Sequence, residues 1–437
     1  MYITEIELTN IRSVQKLHLK FPKPAGWHVL LGDNGAGKSS VIRAISAAIV
    51  GPSEILRLDP DFSTWVTSGK KKATINLEIE RHEVDKRYLL EKLIAPQAKK
   101  IHCQTVIEQD EGNGKTWKFK DAAEKKGPVY DPEFYNWGSG DGWFSAAFGP
   151  YRRFTGGDQS LESFYFRNPK IAAHLTAFKD AALTESVVWL KDLQFRSLSK
   201  PKSEAEETII LNGIQHFINQ DNLLPQGFRL KEITPDGPFF TIPDKSTVHL
   251  YELSEGIKSV TSLAFELMRL LLRVYPAKEV FGNFLDDNKQ NDFVPVPGVV
   301  LIDEIDAHLH PTWQARIGQW FTRCFPNIQF IVTTHSPIIC RAAVNGSVWR
   351  LPNPGDDREP SQITGTALDR LLYGDILDAY GTGAFGADVT RDEAGFKKLS
   401  RLAELNVRFY RSEASEAEVN ERSELIKIFP SDDSVFS

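Results

Sequence analysis

Apolar and polar residues alternate with period two through Tyr2–Leu8 and again through Gln15–Phe21, the pattern of half-buried strands. Trp27–Leu31 is mostly apolar and predicts a third strand. A glycine-rich turn, Gly32–Gly37, follows. From Lys38 to Val50 the spacing becomes helical, with Val41, Ile42, Ala44, Ile45, Ala48 and Ile49 on the repeat. Alternation returns between Ala73 and Glu108, notably at Thr74–Ile79, and predicts an antiparallel sheet. Asp110–Gly149, rich in Gly, Lys and Trp, reads as loops.

Beyond it, Ala181–Leu193 and Glu204–Ile218 have helical periods joined by the polar turn Ser199–Ser203, too short for a sustained coiled coil. Phe228–Thr241 and Thr247–Tyr251 read as strands, and Ser259–Tyr275 as a strong helix. A polar loop then leads to the buried strand Val299–Ile302, the amphipathic helix Pro311–Cys324 and the apolar strand Ile328–Thr333. An acidic loop (Asn353–Glu359), helical pieces and a polar tail complete the chain, and no internal repeat is visible.

At 437 residues, 41% hydrophobic and 25% charged, the chain has ordinary globular usage and room for two or three units. A net charge of −6 leaves no global footprint for nucleic acid or an anionic membrane. Cys103, Cys324 and Cys340 are scattered and odd in number, so neither a disulfide framework nor a CxxC metal site is expected. Without a signal segment or membrane span, a cytoplasmic protein is expected.

Gly32-Asp33-Asn34-Gly35-Ala36-Gly37-Lys38-Ser39 satisfies GxxxxGK[ST], the P-loop. Its glycines let backbone N–H groups turn inward around phosphates, and the helix start adds partial positive charge. Lys38 is placed to reach the β- and γ-phosphates of ATP, and the Ser39 hydroxyl to ligate Mg²⁺. Gly32, Asn34, Gly35, Ala36, Gly37 and Ser40 complete the candidate ATP-binding loop. Val299–Ile302 ends in Asp303 and Glu304, and a buried parallel strand delivers such residues to the sheet edge where P-loop ligands lie. There Asp303 can hold Mg²⁺ and Glu304 can orient and deprotonate a water. Phe330–Thr334 ends in His335 at the same edge, in reach of a γ-phosphate. Leu253-Ser254-Glu255-Gly256 opens a helix, where a hydroxyl and backbone N–H groups make a second phosphate-binding surface, although Ser-x-Gly is also a routine cap.

In this order the motifs resemble an ABC-type ATPase head. Ile302–Pro311 resembles the Walker B and D-loop segment of the RecF/OLD-like ATPases, and Phe325–Pro337 their switch strand. Thr9–Ser13 resembles their opening element, with Ile11 in place of Phe. The resemblance implies an α/β fold: a P-loop head with a mixed sheet and an antiparallel β-subdomain, an inserted helical subdomain and a small helical C-terminal region. The boundaries expected are 1–155 and 226–345 for the two halves of the head, 156–225 for the insertion and 346–437 for the C-terminal region, a candidate for partner docking. It further implies that Lys38, Glu304 and His335 are catalytic in cis, that Arg12 is at the nucleotide, and that Ser254 and Gly256 meet the γ-phosphate bound by a facing subunit. His308–His310 would lie at that seam. The Gln of the usual Q-loop is not evident. Phe148–Arg153 occupies roughly its place, leaving Arg152 and Arg153 open as phosphate or partner contacts.

A transporter subunit is disfavoured by the missing GGQ continuation and the long span from Lys38 to Ser254. Long coiled-coil arms, which an SMC-type protein needs, are lacking. A full OLD nuclease would carry a TOPRIM domain, whereas Asp356 and Asp357 read as a solvated turn. The helical segment Thr184–Ile218 and the C-terminal runs Tyr373–Leu377 and Ala403–Asn406 resemble the ATPase subunit of Septu-type anti-phage systems. That resemblance implies self-association, an HNH nuclease as partner and no nuclease activity in this chain. The alternatives are a RecF-like DNA-binding ATPase, with Lys70–Lys72, Lys99–Lys100 and Lys118–Lys126 as candidate DNA contacts, and an ATP-switched binding module.

Overall fold

Strand β1 (Tyr2–Ile11) turns at Arg12 and Ser13 into β2 (Val14–Lys20), and β3 (Gly26–Leu31) then enters a different sheet. The computed structural model describes residues 1–59, 61–85, 99–109, 117–121, 137, 143–150, 169–181, 183–199, 206–220, 223–282, 293–353, 356, 358–374 and 393–428. Residues Met1–Tyr373 form one unit and Gly374–Ser437 another.

With β4 (Lys72–Glu80), β5 (Lys100–Gln109) and β6 (Trp117–Asp121), the first hairpin builds an antiparallel sheet of order β2-β1-β4-β5-β6. The central sheet adds β7 (Ser145–Phe148), β11 (Gly298–Ile302), β12 (Ile328–Thr334), β13 (Gly346–Arg350) and β14 (Ser361–Ile363), in the order β14-β13-β3-β12-β11-β7. All its pairings are parallel except β13 with β14. A small antiparallel sheet holds β8 (Arg229–Thr234), β9 (Gly237–Thr241) and β10 (Thr247–His249). Asp110–Gly149, expected as loops, therefore contributes β6 and β7; both are short and depend on pairing with β5 and β11 rather than on local pattern.

Helix α1 (Lys38–Val50) packs against β1, β4 and β5 on one side and β7 and β11 on the other. Eleven of its 13 residues are buried, so it is a core helix rather than a surface one. Helix α2 is Pro52–Leu58, α3 Thr184–Leu198, α4 Glu206–Ile218, α5 Glu255–Val274, α6 Ala277–Phe281, α7 Pro311–Cys324 and α8 Gly365–Tyr373. The other face of the central sheet is closed by aromatic packing, Trp27 in β3 against Phe321 of α7 and Phe330 of β12. Gln329, buried in β12, reaches across to β1: its amide accepts the Ile3 N–H at 2.7 Å and donates to the Ile3 carbonyl at 2.8 Å. One side chain thus substitutes for a missing backbone ladder between the two sheets.

The second unit contains α9 (Glu393–Tyr410) and α10 (Glu416–Ile428), joined across Leu402, Leu405 and Leu425 and by the Arg401–Glu421 ion pair. Among the described residues no helix is long and apolar enough to cross a membrane.

Candidate active site

The parallel register brings four strand ends to one edge. Leu31, the last residue of β3, pairs with Thr334 of β12; Ile302 of β11 pairs with Val332 of β12 and Phe148 of β7. The residues that follow, Gly32, His335, Asp303 and Gly149, therefore emerge side by side. Gly37 enters α1 with φ +90°, and a Cβ there would lie 2.5 Å from Val14 Cγ2 and 2.9 Å from Ser13 Oγ. The P-loop is thus moulded against the tip of the β1–β2 hairpin, and only glycine fits. Lys38 is buried and folds back, its Nζ donating to the carbonyls of Gly32 (2.8 Å) and Asp33 (3.0 Å). Burial lowers its ammonium below the usual lysine range, opposed chiefly by Asp303 and Glu304, so the three charges share one region.

Asp303 is 4% exposed and Glu304 half-buried. Thr333 Oγ1 donates to Asp303 Oδ1 at 2.6 Å, and the Glu304 N–H donates to Thr333 Oγ1 at 2.7 Å. Glu304 has φ +47° and His308 φ +64°, left-handed conformations that L residues adopt only when the surroundings hold them. Thr334 Oγ1 donates to Asp306 Oδ1 at 2.6 Å. Ser39 and Asp303 offer hard oxygen donors of the kind Mg²⁺ takes, so the residues present fit that ion.

A family model described as "AAA domain" matches residues 5–242. The chain belongs to the AAA-domain family. A second model, "AAA domain, putative AbiEii toxin, Type IV TA system", matches residues 163–341. A retron Ec83 probable ATPase of Escherichia coli is 34% identical over 210 residues, 47% of this chain and 36% of that one. The Septu protein PtuA of Bacillus mycoides is 24% identical over 397 residues, 87% of this chain and 45% of its own. The chain therefore spans less than half the length of these relatives. Among solved structures, an Smc head domain with an extended coiled coil, bound to the C-terminal domain of ScpA and derived from Pyrococcus furiosus, matches 83% of this chain and 96% of that one at 16% identity and a TM-score of 0.46.

The remaining candidates of this AAA domain are arranged around that core. His335 is exposed at the end of β12. Arg12, in the hairpin tip at φ +50°, stacks 5.3 Å from the Trp65 ring, and burial and the neighbouring Arg43 lower its guanidinium pKa against the pull of Asp59. Ser254 caps α5 without spending its hydroxyl on the helix, and the Cβ position of Gly256 is 3.6 Å from the His308 carbonyl. The structure therefore brings the Ser254–Gly256 turn to the segment after Glu304. Gly149 donates its N–H to Thr176 Oγ1 at 3.3 Å; Arg152 and Arg153 lie outside the described residues. Asp356 pairs with Arg358, as expected of a turn, and Asp357 lies outside the described residues. Of the candidate DNA contacts, Lys99, Lys100 and Lys120 are paired with Glu80, Glu78 and Glu108, while Lys125 and Lys126 lie outside the described residues. Sequence reasoning passed over Thr333, Thr334 and Asp306. The available signal was two hydroxyl residues closing an otherwise apolar strand.

Proposed function

We propose that the chain binds ATP with Mg²⁺ and hydrolyses it between two head-to-head subunits, and that this cycle regulates a partner effector, a nuclease of the HNH type in an anti-phage defence complex. The observation that carries the hydrolytic half is the meeting of Lys38 with Asp303 and Glu304 at one edge of parallel strands. When bound, Mg²⁺ neutralises charge on the β- and γ-phosphates. The P-loop N–H groups and Lys38 bind the phosphates, Ser39 and Asp303 hold the ion, Glu304 accepts the proton of the attacking water, and His335 steadies the γ-phosphate. Ser254 and Gly256 act on the nucleotide of the facing subunit. The effector half is supported by the likeness to Septu and retron proteins. The head is then split into 1–155 and 226–345 by the insertion 156–225, and of 346–437 the part beyond Tyr373 is left for partner docking, since β13 (Gly346–Arg350) belongs to the central sheet beside β3. Glutamate pairing of Lys99, Lys100 and Lys120 weighs against a DNA-binding role on that sheet.

Glu304→Gln tests the assignment. It keeps the shape of the side chain and removes the base, so ATP binding is retained while turnover falls about 100-fold or more. Filter binding and phosphate release read the two separately, and the variant accumulates as an ATP-dependent dimer in light scattering. Turnover at the wild-type rate would show that Glu304 is not the base.

A further inference from the structure

The two threonines that close β12 make the same pair of bonds. Thr333 Oγ1 accepts the Glu304 N–H and donates to Asp303 Oδ1; Thr334 Oγ1 accepts the Ser336 N–H at 2.9 Å and donates to Asp306 Oδ1 at 2.6 Å. A hydroxyl has one proton, and an ionised carboxylate can only accept, so the donor assignments are fixed. We infer that Thr333 is a positioning residue for the reaction, orienting Asp303 toward the metal and holding Glu304 in its left-handed conformation, with Thr334 fixing the following turn. This rests on the reading that Asp303 and Glu304 serve ATP hydrolysis.

Three features carry the inference. Asp303 is buried and one of its oxygens is committed to Thr333, which limits rotation of the carboxylate. The φ of +47° at Glu304 needs support from its surroundings, and the N–H of that residue is anchored to the same hydroxyl. The Ile305 N–H also donates to the Thr333 carbonyl at 3.0 Å, so β12 grips three consecutive residues after β11 through one threonine. Since His335 directly follows β12, a shift at the γ-phosphate end of that strand moves the metal ligand and the base together. Through Asp306 it also moves the turn whose His308 carbonyl lies 3.6 Å from the Cβ position of Gly256.

Thr333→Val, nearly the same size, removes both hydroxyl bonds; Thr333→Ser keeps them. Binding of a fluorescent ATP analogue is titrated with Mg²⁺, and phosphate release and melting without nucleotide are followed in parallel. Thr333→Val is expected to bind the analogue normally without Mg²⁺, to need about tenfold more Mg²⁺ for its effect on binding, and to turn over about tenfold more slowly or worse. Thr333→Ser is expected within about twofold of wild type on both counts. Wild-type Mg²⁺ dependence and turnover in Thr333→Val would overturn the inference. If that variant does not fold, Thr333→Cys, which keeps the size and weakens the donor, is read in the same way. Failure of the underlying reading shows elsewhere, as undiminished hydrolysis in Glu304→Gln whatever Thr333 does.

Discussion

His28 lies in β3, directly ahead of the P-loop, and is 1% exposed. Its ring closes a short relay: Trp349 Nε1–H donates to Ser347 Oγ, Ser347 in turn donates to His28 Nδ1, and His28 Nε2–H donates to the Pro24 carbonyl. Every polar atom of the ring is satisfied by the neutral form, and burial pushes its pKa down to about 4, with the Pro24 carbonyl opposing. In the unfolded chain the same ring titrates near 6.5. Between these values the unfolded state holds a proton that the folded state refuses, so stability is full above pH 6.5 and is lost as pH falls toward 4. From pH 7 to 5 this group alone accounts for about 2 kcal/mol. His28→Gln removes the titration, so its unfolding free energy, measured in denaturant at both pH values, should fall by about 2 kcal/mol less than that of the wild type. Equal losses in the two proteins would exclude a buried neutral His28.

At the scale of elements, the P-loop is moulded by the tip of the β1–β2 hairpin, which sets Gly37 apart from a glycine such as Gly69 in an open turn outside the P-loop. Gly37 combines φ +90° with a Cβ position 2.5 Å from Val14, whereas Gly69 has φ +78° and nothing within 4 Å. Alanine at Gly69 meets only the backbone cost of the left-handed region, about 1–2 kcal/mol, and should leave ATP affinity unchanged. Alanine at Gly37 adds a steric clash and must displace either the hairpin tip or the loop, so ATP affinity should drop about tenfold or more. Titration of both variants with a fluorescent ATP analogue separates the two cases, and a common loss of affinity would refute the argument. The same elements show why part of the fold was legible. The strands β3, β11 and β12 are apolar runs that end in polar chemistry, and α1 changes period at Lys38, so the site could be read locally. By contrast β6 and β7 have five and four residues, and their identity comes from partners far along the chain. Thr333 was illegible for a similar reason: its reach to Asp303 exists only because Val332 is in register with Ile302. Gln329 and His28 are likewise polar residues whose place in apolar strands is explained by Ile3 and Ser347, hundreds of positions away.

For the whole molecule the decisive question is whether one subunit completes the site of another. Ser254 is exposed at the N-terminus of a 20-residue helix, with no bond from its hydroxyl to that helix, and the Cβ position of Gly256 lies 3.6 Å from the carbonyl of His308, in the turn beyond Glu304. In a two-fold pair a contact from the Ser254–Gly256 turn of one subunit to the P-loop of the other is repeated in reverse by symmetry, so each active site would draw its P-loop from one subunit and its Ser254–Gly256 turn from the other. Two variants, each inactive alone, expose this arrangement. Lys38→Ala is expected to lose nucleotide binding, whereas Ser254→Arg should bind ATP on an intact P-loop but, with a bulky cation facing the partner's γ-phosphate, should fail to hydrolyse it. In an equimolar mixture half the dimers combine the two, and each mixed dimer has one site built from intact halves, so about a quarter of wild-type hydrolysis should return. Phosphate release from the mixture, compared with either variant alone at the same total concentration, measures it. Sites complete within one subunit would give no recovery on mixing, and full activity in Ser254→Arg alone would remove the turn from the catalytic arrangement altogether.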